Sequence, residues 1–159
     1  MNESGEALEP FARQAGEGEA LWWLGSLAII KAAREETGGR FTLVEVAENE
    51  GETPLHVHHR EDETFFVLEG EIDFEVDGKP IKAGPGATIF GPRGIPHSYK
   101  VRKGPARMLF LLTPGGFEDL IRASSVPAKA LRIPTEQDAI ADFEALPAIA
   151  LRYGCEMLG

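Results

Sequence analysis

The sequence has one cysteine, no long apolar run and few positive charges. Because Cys155 stands alone, no internal disulfide can form. The longest apolar stretch, residues 20–30, is interrupted by Gly25 and Ser26. It is also shorter than the ~18 residues that a membrane-spanning helix needs. We therefore expect no membrane span, and we expect Cys155 to serve packing rather than nucleophilic chemistry.

The charge balance excludes one class of partner. Lys and Arg number 16 against 26 Asp and Glu, which gives a formal net charge of −10 at pH 7. Binding to a phosphate backbone depends on cations, so we expect no nucleic acid partner. The beginning of the chain, NESGEALEP, is acidic and lacks the cationic and apolar regions of a signal peptide. These features predict a cytoplasmic protein.

The pattern along the chain predicts one domain with two appendages. Residues 1–20 are rich in Glu and too poor in apolar residues to fold alone, which predicts a flexible acidic N-terminal arm. Residues 21–116 contain short β-prone runs between turn signals, the spacing of a sandwich or barrel. Residues 117–159 show helical spacing and predict short C-terminal helices packed on the barrel. Within them, Thr135 and Asp138 resemble a helix start, and Pro147 predicts two short helices or a kinked one.

The clearest strand prediction covers residues 71–76. Ile72, Phe74 and Val76 alternate with acidic residues, and Asp77-Gly78 then signals a hairpin. Further strands are predicted at 40–46, 64–68, 87–90, 97–102 and 107–112. Acidic residues concentrate in residues 44–77 and basic residues in 78–117. These charges could pair across strands, although we favour simple solvated faces.

Three of the four histidines cluster at positions 56, 58 and 59. On a strand, residues i and i+2 share a face, so His56 and His58 point together and His59 points away. Glu63 begins the next β-prone run, and a hairpin could bring its carboxylate beside the histidine pair. Two imidazoles and a carboxylate on one face form most of a metal site.

The fourth histidine completes the candidate set. His97, Tyr99 and Val101 share the apolar face of their run, so His97 should point into the same interior. Three imidazoles and one carboxylate suit a divalent transition metal such as Fe, Mn, Ni, Cu, Co or Zn. The set leaves one or two coordination positions open for water, a substrate oxygen or dioxygen. Surface or hydrogen-bonded core histidines are the ordinary alternative, but four agreeing residues favour the metal.

Neighbouring polar residues are assigned other places. We expect His59, Glu61 and Asp62 to face solvent. Glu61 or Asp62 would replace Glu63 as the ligand if the turn register differed by one residue.

These residues resemble the two motifs of the cupin family. The first motif is a Gly, a His-x-His pair, a Glu and a second Gly, matched here by Gly51, His56, His58, Glu63 and Gly70. The second motif is matched by Gly86, Pro92, Gly94 and His97. Two positions depart from the pattern: only four residues separate Gly51 from His56, and Val101 replaces a non-ligand Asn. More loosely, the chain resembles small bacterial single-domain cupins grouped with quercetin dioxygenase.

The resemblance implies an all-β protein with a single jelly-roll-like cupin β-barrel and one divalent metal held by His56, His58, Glu63 and His97. In quercetin-dioxygenase-like members the ligand Glu is also the base, which implies a catalytic role for Glu63. The implied function is a metal-dependent dioxygenase or oxidoreductase acting on a small aromatic or enolisable substrate. A non-catalytic small-molecule or metal binding module, or a metal-dependent isomerase or lyase, are the alternatives.

Large apolar side chains raise two further expectations. Candidates to line a barrel cavity, most of them more simply core residues, are Phe41, Phe65, Phe74, Phe90, Tyr99, Met108 and Phe110. Trp22 and Trp23 are adjacent and should face opposite sides of a strand, so one of them should meet a partner surface or the arm. A homodimer is the simplest explanation.

Overall fold

The computed structural model describes residue 5 and residues 7–159 and has an all-β architecture with short helices. The strands of this part of the chain are β1 (Glu19–Trp23), β2 (Ser26–Ala32), β3 (Thr42–Glu48), β4 (Gly51–Glu52), β5 (His56–His58), β6 (Asp62–Val76), β7 (Lys79–Ala83), β8 (Thr88–Gly91), β9 (His97–Thr113), β10 (Val126–Pro127) and β11 (Cys155–Met157). The helices are α1 (Arg34–Thr37), α2 (Glu118–Ala123) and α3 (Leu146–Arg152), the last preceded by a 3-10 turn at Phe143–Ala145.

The strands form one antiparallel, jelly-roll-like sheet that folds over itself without closing completely. Its main path runs β10-β1-β2-β3-β9-β5-β11, and β6 pairs with β7, β8 and β9. Nine residues of straight strand would span about 30 Å. Phe65 and Phe74 of β6 nevertheless have ring centroids only 5.1 Å apart. The two halves of β6 therefore face each other across the core.

The bend is shared by the two longest strands. The β6–β9 register shifts between Val67 and Ile72. Gly70 lies there with φ +92, and a Cβ on it would approach the Cα of Ala106 to 2.9 Å. Only glycine meets both demands, a left-handed backbone and close contact with the neighbouring strand. We call this bend, residues 67–72 of β6 with 101–107 of β9, the crease.

Alternation along each strand places the core between the folded halves. In β3, Thr42, Val44 and Val46 are buried whereas the residues between them are only half-buried. The core also takes in most of the predicted lining residues, namely Phe65, Phe74, Tyr99, Met108 and Phe110. The prediction that Phe90 lines a cavity is wrong, because this residue is 57% exposed. Strand β8 buries Ile89 and Gly91 instead, so Phe90 points outward.

The strand predictions need two kinds of correction. Predicted strands 64–68 and 71–76 are halves of β6, and 97–102 and 107–112 are halves of β9. The C-terminal extension also contains β10 and β11, which pair with β1 and β5. Thr135 does donate to Asp138, but this contact closes a turn rather than starting a helix. These outcomes depend on long-range pairing, which local patterns do not record.

Both tryptophans find partners within the chain. Trp22 is fully buried, donates its indole N–H to the Arg132 carbonyl and lies under the Arg132 guanidinium. Trp23 donates to the Ser124 hydroxyl and packs edge-on against Phe117. The C-terminal extension therefore covers both tryptophans, the residues from which the sequence predicted a homodimer.

Residues before β2 also contact the sheet. Glu19 begins β1, and Arg13 donates to both carboxylate oxygens of Glu36 and to the Lys31 carbonyl. Among the residues described, no helix has the length and apolar character to cross a membrane.

Candidate metal centre

Three strands bring the four sequence-predicted residues together. His56 and His58 point from β5 to one side, and His56 lies opposite His97 of β9 in the antiparallel register. Glu63 comes from β6, whose partner at this position is Gly91. A Cβ on Gly91 would lie 3.0 Å from the His97 ring, so this glycine allows the ring to pass. The adjacent strands therefore place all four side chains at one end of the core.

The donor atoms converge. One ligand atom from each of the four residues lies within 4.8 Å of the others. His58 Nε2 is 2.8 Å and His97 Nε2 is 3.8 Å from Glu63 Oε2. Two donors bound to one ion at about 2.1 Å are separated by about 4 Å at most. The 2.8 and 3.8 Å separations lie within this limit, and the widest separation in the set, 4.8 Å at most, would close to it by a small side-chain movement when an ion binds.

The same atoms lack other partners. His58 Nε2, His97 Nε2 and Glu63 Oε2 are all buried, and among the residues that the structure describes none of them has a partner at hydrogen-bond geometry. Buried polar atoms without partners are costly, and a bound ion satisfies them. Three imidazole nitrogens and one carboxylate oxygen are the ligand chemistry of a divalent transition metal. The cluster therefore fits a metal site.

Aromatic packing holds the three rings. The centroid of the His56 ring lies 5.1 Å from that of His58 and 4.5 Å from that of His97. Phe117, at the start of α2, packs edge-on on the His58 ring at 5.0 Å, and Phe65 does the same on His97 at 5.5 Å. Rings packed in this way keep few rotamers, which makes the donor positions preorganised.

Burial and charge shift the protonation of these groups in different directions. Burial lowers the pKa of His97 to about 4 and also lowers that of His56. Burial acts the same way on His58, but the Glu63 and Glu61 carboxylates outweigh it and raise the His58 pKa to about 9. Burial raises the pKa of Glu63, but the three histidines, His58, His97 and His56, together lower it by more. The net pKa of Glu63 is lowered, which favours an ionised carboxylate at the centre of the cluster.

Glu61 is a residue of the site that the sequence did not reveal. The prediction that Glu61 faces solvent is wrong, because only 4% of this residue is exposed. Its Oε1 accepts a hydrogen bond from His58 Nδ1 at 2.9 Å. The tight turn after β5 folds Glu61 back beneath the ring, on the side away from Glu63. Its spacing of three residues from a candidate ligand was the available signal, but local periodicity counted it as a turn residue.

The other neighbours lie at the surface. His59 is exposed and contacts Glu156 at 3.0 Å, as expected of a solvent-facing residue. Asp62 accepts a hydrogen bond from the Arg93 backbone N–H and pairs with its guanidinium. Since Asp62 points outward, and Glu61 lies on the far nitrogen of His58, Glu63 is the carboxylate that faces the three histidines.

Cys155 of β11 lies opposite His58 in the sheet. Its side chain is buried, and burial raises the pKa of its thiol to about 12. A thiol with so little thiolate is a poor nucleophile, which agrees with the expected packing role.

Fold and site together define the class of protein. The sheet is jelly-roll-like, and three histidines and one glutamate from β5, β6 and β9 meet at one end of its core. The cupin domain family matches residues 42–112, which contain all four residues. The chain therefore carries a cupin domain and has the cupin fold.

Particular cupin relatives can be compared. The chain is 30% identical over 141 residues to quercetin 2,3-dioxygenase of Bacillus subtilis, which covers 88% of this chain and 42% of that protein. It is 39% identical over 59 residues to dimethylsulfoniopropionate lyase DddQ of Ruegeria pomeroyi, covering 36% and 29% respectively. The chain thus spans less than half the length of either relative.

A solved structure shows the same fold. An RmlC-like cupin from Shewanella frigidimarina superposes with a TM-score of 0.58 at 20% identity, over 67% of this chain and 93% of that one. At this identity the likeness concerns the fold alone.

Proposed function

We propose that this chain is a metal-dependent cupin enzyme, a dioxygenase or related oxidoreductase acting on a small aromatic or enolisable substrate. The observation that carries the proposal is the convergence of one donor atom each from His56, His58, Glu63 and His97 within 4.8 Å, where the buried donors of His58, Glu63 and His97 have no hydrogen-bond partner among the described residues. The similarity to quercetin 2,3-dioxygenase over 88% of the chain supports the choice of reaction.

The four residues would hold one divalent ion, drawn from Fe, Mn, Ni, Cu, Co or Zn. When bound, such an ion supplies Lewis acidity and, if redox-active, one-electron chemistry with oxygen. The chain contributes fixed donors, because Phe65 and Phe117 restrain the His97 and His58 rings. It also contributes an apolar surrounding that keeps water from the reacting groups.

Glu63 is the proposed catalytic residue. A carboxylate has two oxygens, so Glu63 can ligate through one and accept a proton from a substrate hydroxyl at the other. Its lowered pKa keeps it ionised at neutral pH, and only the ionised carboxylate can accept a proton. Loss of the hydroxyl proton generates the electron-rich enolate or phenolate that an oxygenase substrate requires.

The aromatic core supports a flat apolar substrate. Phe65 lies 5.0 Å from Phe110 and 6.0 Å from Tyr99, ring centroid to centroid, and it also contacts His97. These aromatic, apolar surroundings of the donor cluster favour a planar apolar ring over a sugar or a charged chain. We propose substrates of the flavonol or diketone class.

Elemental analysis of the purified protein tests the metal site. We expect about one equivalent of a transition metal, and its loss in His56→Ala, Glu63→Ala and His97→Ala. His59→Ala is the matched control, because this imidazole is exposed and pairs with Glu156. Full metal retention in the three ligand variants would refute the site.

Oxygen uptake tests the reaction. Protein loaded in turn with Fe, Mn, Ni, Cu or Co should consume oxygen with a flavonol or a diketone, and Glu63→Gln should reduce the rate by at least tenfold. Absence of uptake with every metal and both substrate classes would contradict the oxygenase proposal.

A lyase or isomerase is the second candidate, supported by the similarity of 59 residues to dimethylsulfoniopropionate lyase DddQ. Such an enzyme needs the same ligands but no oxygen. Turnover that persists anaerobically with Zn²⁺ would select it, whereas any turnover at all would exclude a purely binding role.

We further propose that the protein is a cytoplasmic homodimer. Phe66, Phe90 and Leu111 are exposed on neighbouring strands, with Phe90 and Leu111 both opposite Thr64. An exposed apolar patch of this kind suits a second copy. Light scattering should give twice the chain mass of 17.3 kDa, and Phe90→Glu should halve it.

A further inference from the structure

Glu61 is a buried carboxylate outside the four-residue cluster. It is 4% exposed, and its Oε1 lies 2.9 Å from His58 Nδ1. The other nitrogen of the same ring, Nε2, lies 2.8 Å from Glu63 Oε2. His58 is therefore held between two carboxylates, one on each nitrogen.

The chemistry of imidazole gives this contact a consequence. A neutral imidazole carries its proton on one nitrogen and its lone pair on the other. A carboxylate accepts hydrogen bonds, so Glu61 would retain the proton on Nδ1 when a metal ion displaces the proton from Nε2, and the Nε2 lone pair would then face the ion. It also fixes the rotation of the ring about the Cβ–Cγ bond.

We propose that Glu61 is a positioning residue that sets the tautomer and orientation of His58 as a metal ligand. The inference rests on the proposed metal site and adds to it a fifth residue that touches neither metal nor substrate. Glu61 acts through the ring of His58.

The placement of Glu61 favours this role over simple packing. A buried carboxylate is costly unless it is paired, and an apolar side chain would fill the same space without that cost. The Phe117 ring already packs edge-on against the His58 ring. What Glu61 adds is an acceptor at Nδ1, the one contact that selects a tautomer.

The chain contains a matched control. Glu156 makes a comparable contact with His59, its Oε2 lying 3.0 Å from Nε2, but both side chains are about half exposed and lie outside the cluster. Glu156→Ala therefore removes a histidine–carboxylate contact without altering a ligand.

The experiment measures Zn²⁺ affinity by competition with a chelator in Glu61→Ala, Glu61→Gln, Glu156→Ala and the unaltered chain. We expect Glu61→Ala to weaken Zn²⁺ binding by 10- to 100-fold, roughly the loss typical of residues that support a ligand. Glu61→Gln should recover part of the affinity, because its amide oxygen can accept the same hydrogen bond. Glu156→Ala should leave the affinity unchanged.

Nuclear magnetic resonance of the Zn²⁺-loaded protein supplies a second readout. Nitrogen-15 spectra of the imidazoles should show a proton on His58 Nδ1, and Glu61→Ala should broaden or shift that signal while circular dichroism stays unchanged. A purely structural role would not move it.

The outcomes separate the two proposals. If Glu61→Ala is folded and binds Zn²⁺ within twofold of the unaltered chain, Glu61 is not a positioning residue, although the metal site stands. If His58→Ala binds Zn²⁺ as tightly as the unaltered chain, the proposed metal site itself fails and this inference fails with it.

Discussion

His58 and His59 are chemically identical neighbours with opposite surroundings. His58 is 2% exposed and lies between Glu61 and Glu63, whereas His59 is exposed and meets Glu156 at the surface. His58 is the last residue of β5, and His59 follows it where the chain bends at the surface. At the scale of the residue, the end of the strand separates a candidate ligand from an ordinary surface histidine.

Glu48 is a second residue whose properties depend on burial, in this case its pKa. It ends β3 with an Oε1 that is buried and has no hydrogen-bond partner within the described part of the chain. Burial raises the pKa of Glu48 above its ordinary 4.5, and a hydrogen bond from Tyr99 offsets this only in part. The folded chain therefore holds this proton to higher pH than the unfolded chain, so the contribution of Glu48 to stability falls as pH rises above about 4.5.

Glu48→Gln should remove that dependence. At about pH 4 the variant and the original chain should have similar unfolding free energies, because Glu48 is then largely protonated. At pH 8 the variant should be more stable, by on the order of 1 kcal/mol. Thermal unfolding at both values checks this, with exposed Glu52→Gln as the control. Lower stability of Glu48→Gln at pH 8 would show that the charge is favourable where it lies.

At the scale of the element, the crease decides the architecture. Strands β6 and β9 pair from Asp62–Thr113 to Val76–His97, with irregular register only around the bend. This long antiparallel strand pair folds over so that Glu63, near one end of β6, lies 3.8 Å from His97, at the start of β9. The bend is thus what brings the carboxylate to the histidine.

Gly70→Ala should destabilise the chain by about 2–4 kcal/mol, because it combines a positive φ with a clash against the Ala106 backbone. Gly84→Ala is the control: Gly84 has ordinary φ and open space around its Cβ position, so the change should be within about 0.5 kcal/mol. Urea unfolding measures both. Equal stabilities for the two variants would show that the crease does not require glycine at position 70.

A buried carboxylate also joins the helices to the sheet. Glu118 of α2 is fully buried and accepts hydrogen bonds from the Arg34 N–H at 2.7 Å, the Gly116 N–H at 3.1 Å and the Thr42 hydroxyl. It therefore connects the start of α1, the start of α2 and β3. Since Phe117 packs on His58, this junction also supports the site.

Glu118→Ala should lower the unfolding free energy by about 3 kcal/mol, because it removes the acceptor of the Arg34 N–H and of the buried Thr42 hydroxyl, whereas the Gly116 N–H retains Thr42 Oγ1 as an acceptor. Asp119→Ala, one residue on, removes part-exposed pairs with Arg34 and Arg122 and should cost less than about 1 kcal/mol. Denaturant titration of the two variants distinguishes the cases. A small effect at Glu118 would mean that water replaces the carboxylate.

At the scale of the whole molecule, the acidic and basic halves of the sequence meet across strands. Arg102 pairs with Glu71 and Asp73, and Arg107 pairs with Glu45 and Glu69. The cross-strand ion pairs that the sequence allowed are thus present. The preferred prediction of simple solvated faces is incomplete. Exposed pairs of this kind each contribute little, so the apolar core supplies most of the stability.

Because the core does not depend on the ion, removal of metal should leave the chain folded. Chelator-treated protein should keep its circular dichroism spectrum, and Zn²⁺ at 100 times its dissociation constant should add about 2.7 kcal/mol of stability. Glu63→Ala should stay folded and lose most of this gain. Unfolding on chelation would indicate that the ion is structural.

Local patterns in the sequence determined a large part of this protein. The alternation at residues 71–76 and the Asp77-Gly78 turn are confirmed, since Val76 pairs with Lys79 and both turn residues have positive φ. The His-x-His spacing placed two imidazoles on one face, and the cupin motifs identified the fold. These features are encoded in a few neighbouring residues, where backbone geometry alone sets the direction of each side chain.

Tertiary structure alone decided the rest. The pairing of β11 with β5, and that of β8 with β6 which directs Phe90 outward, depend on segments distant in the chain. So does the cover that residues near Arg132 provide for Trp22. A sequence pattern states which faces are apolar, but which segments meet is settled by the shared core, where packing and hydrogen-bond demands are satisfied together.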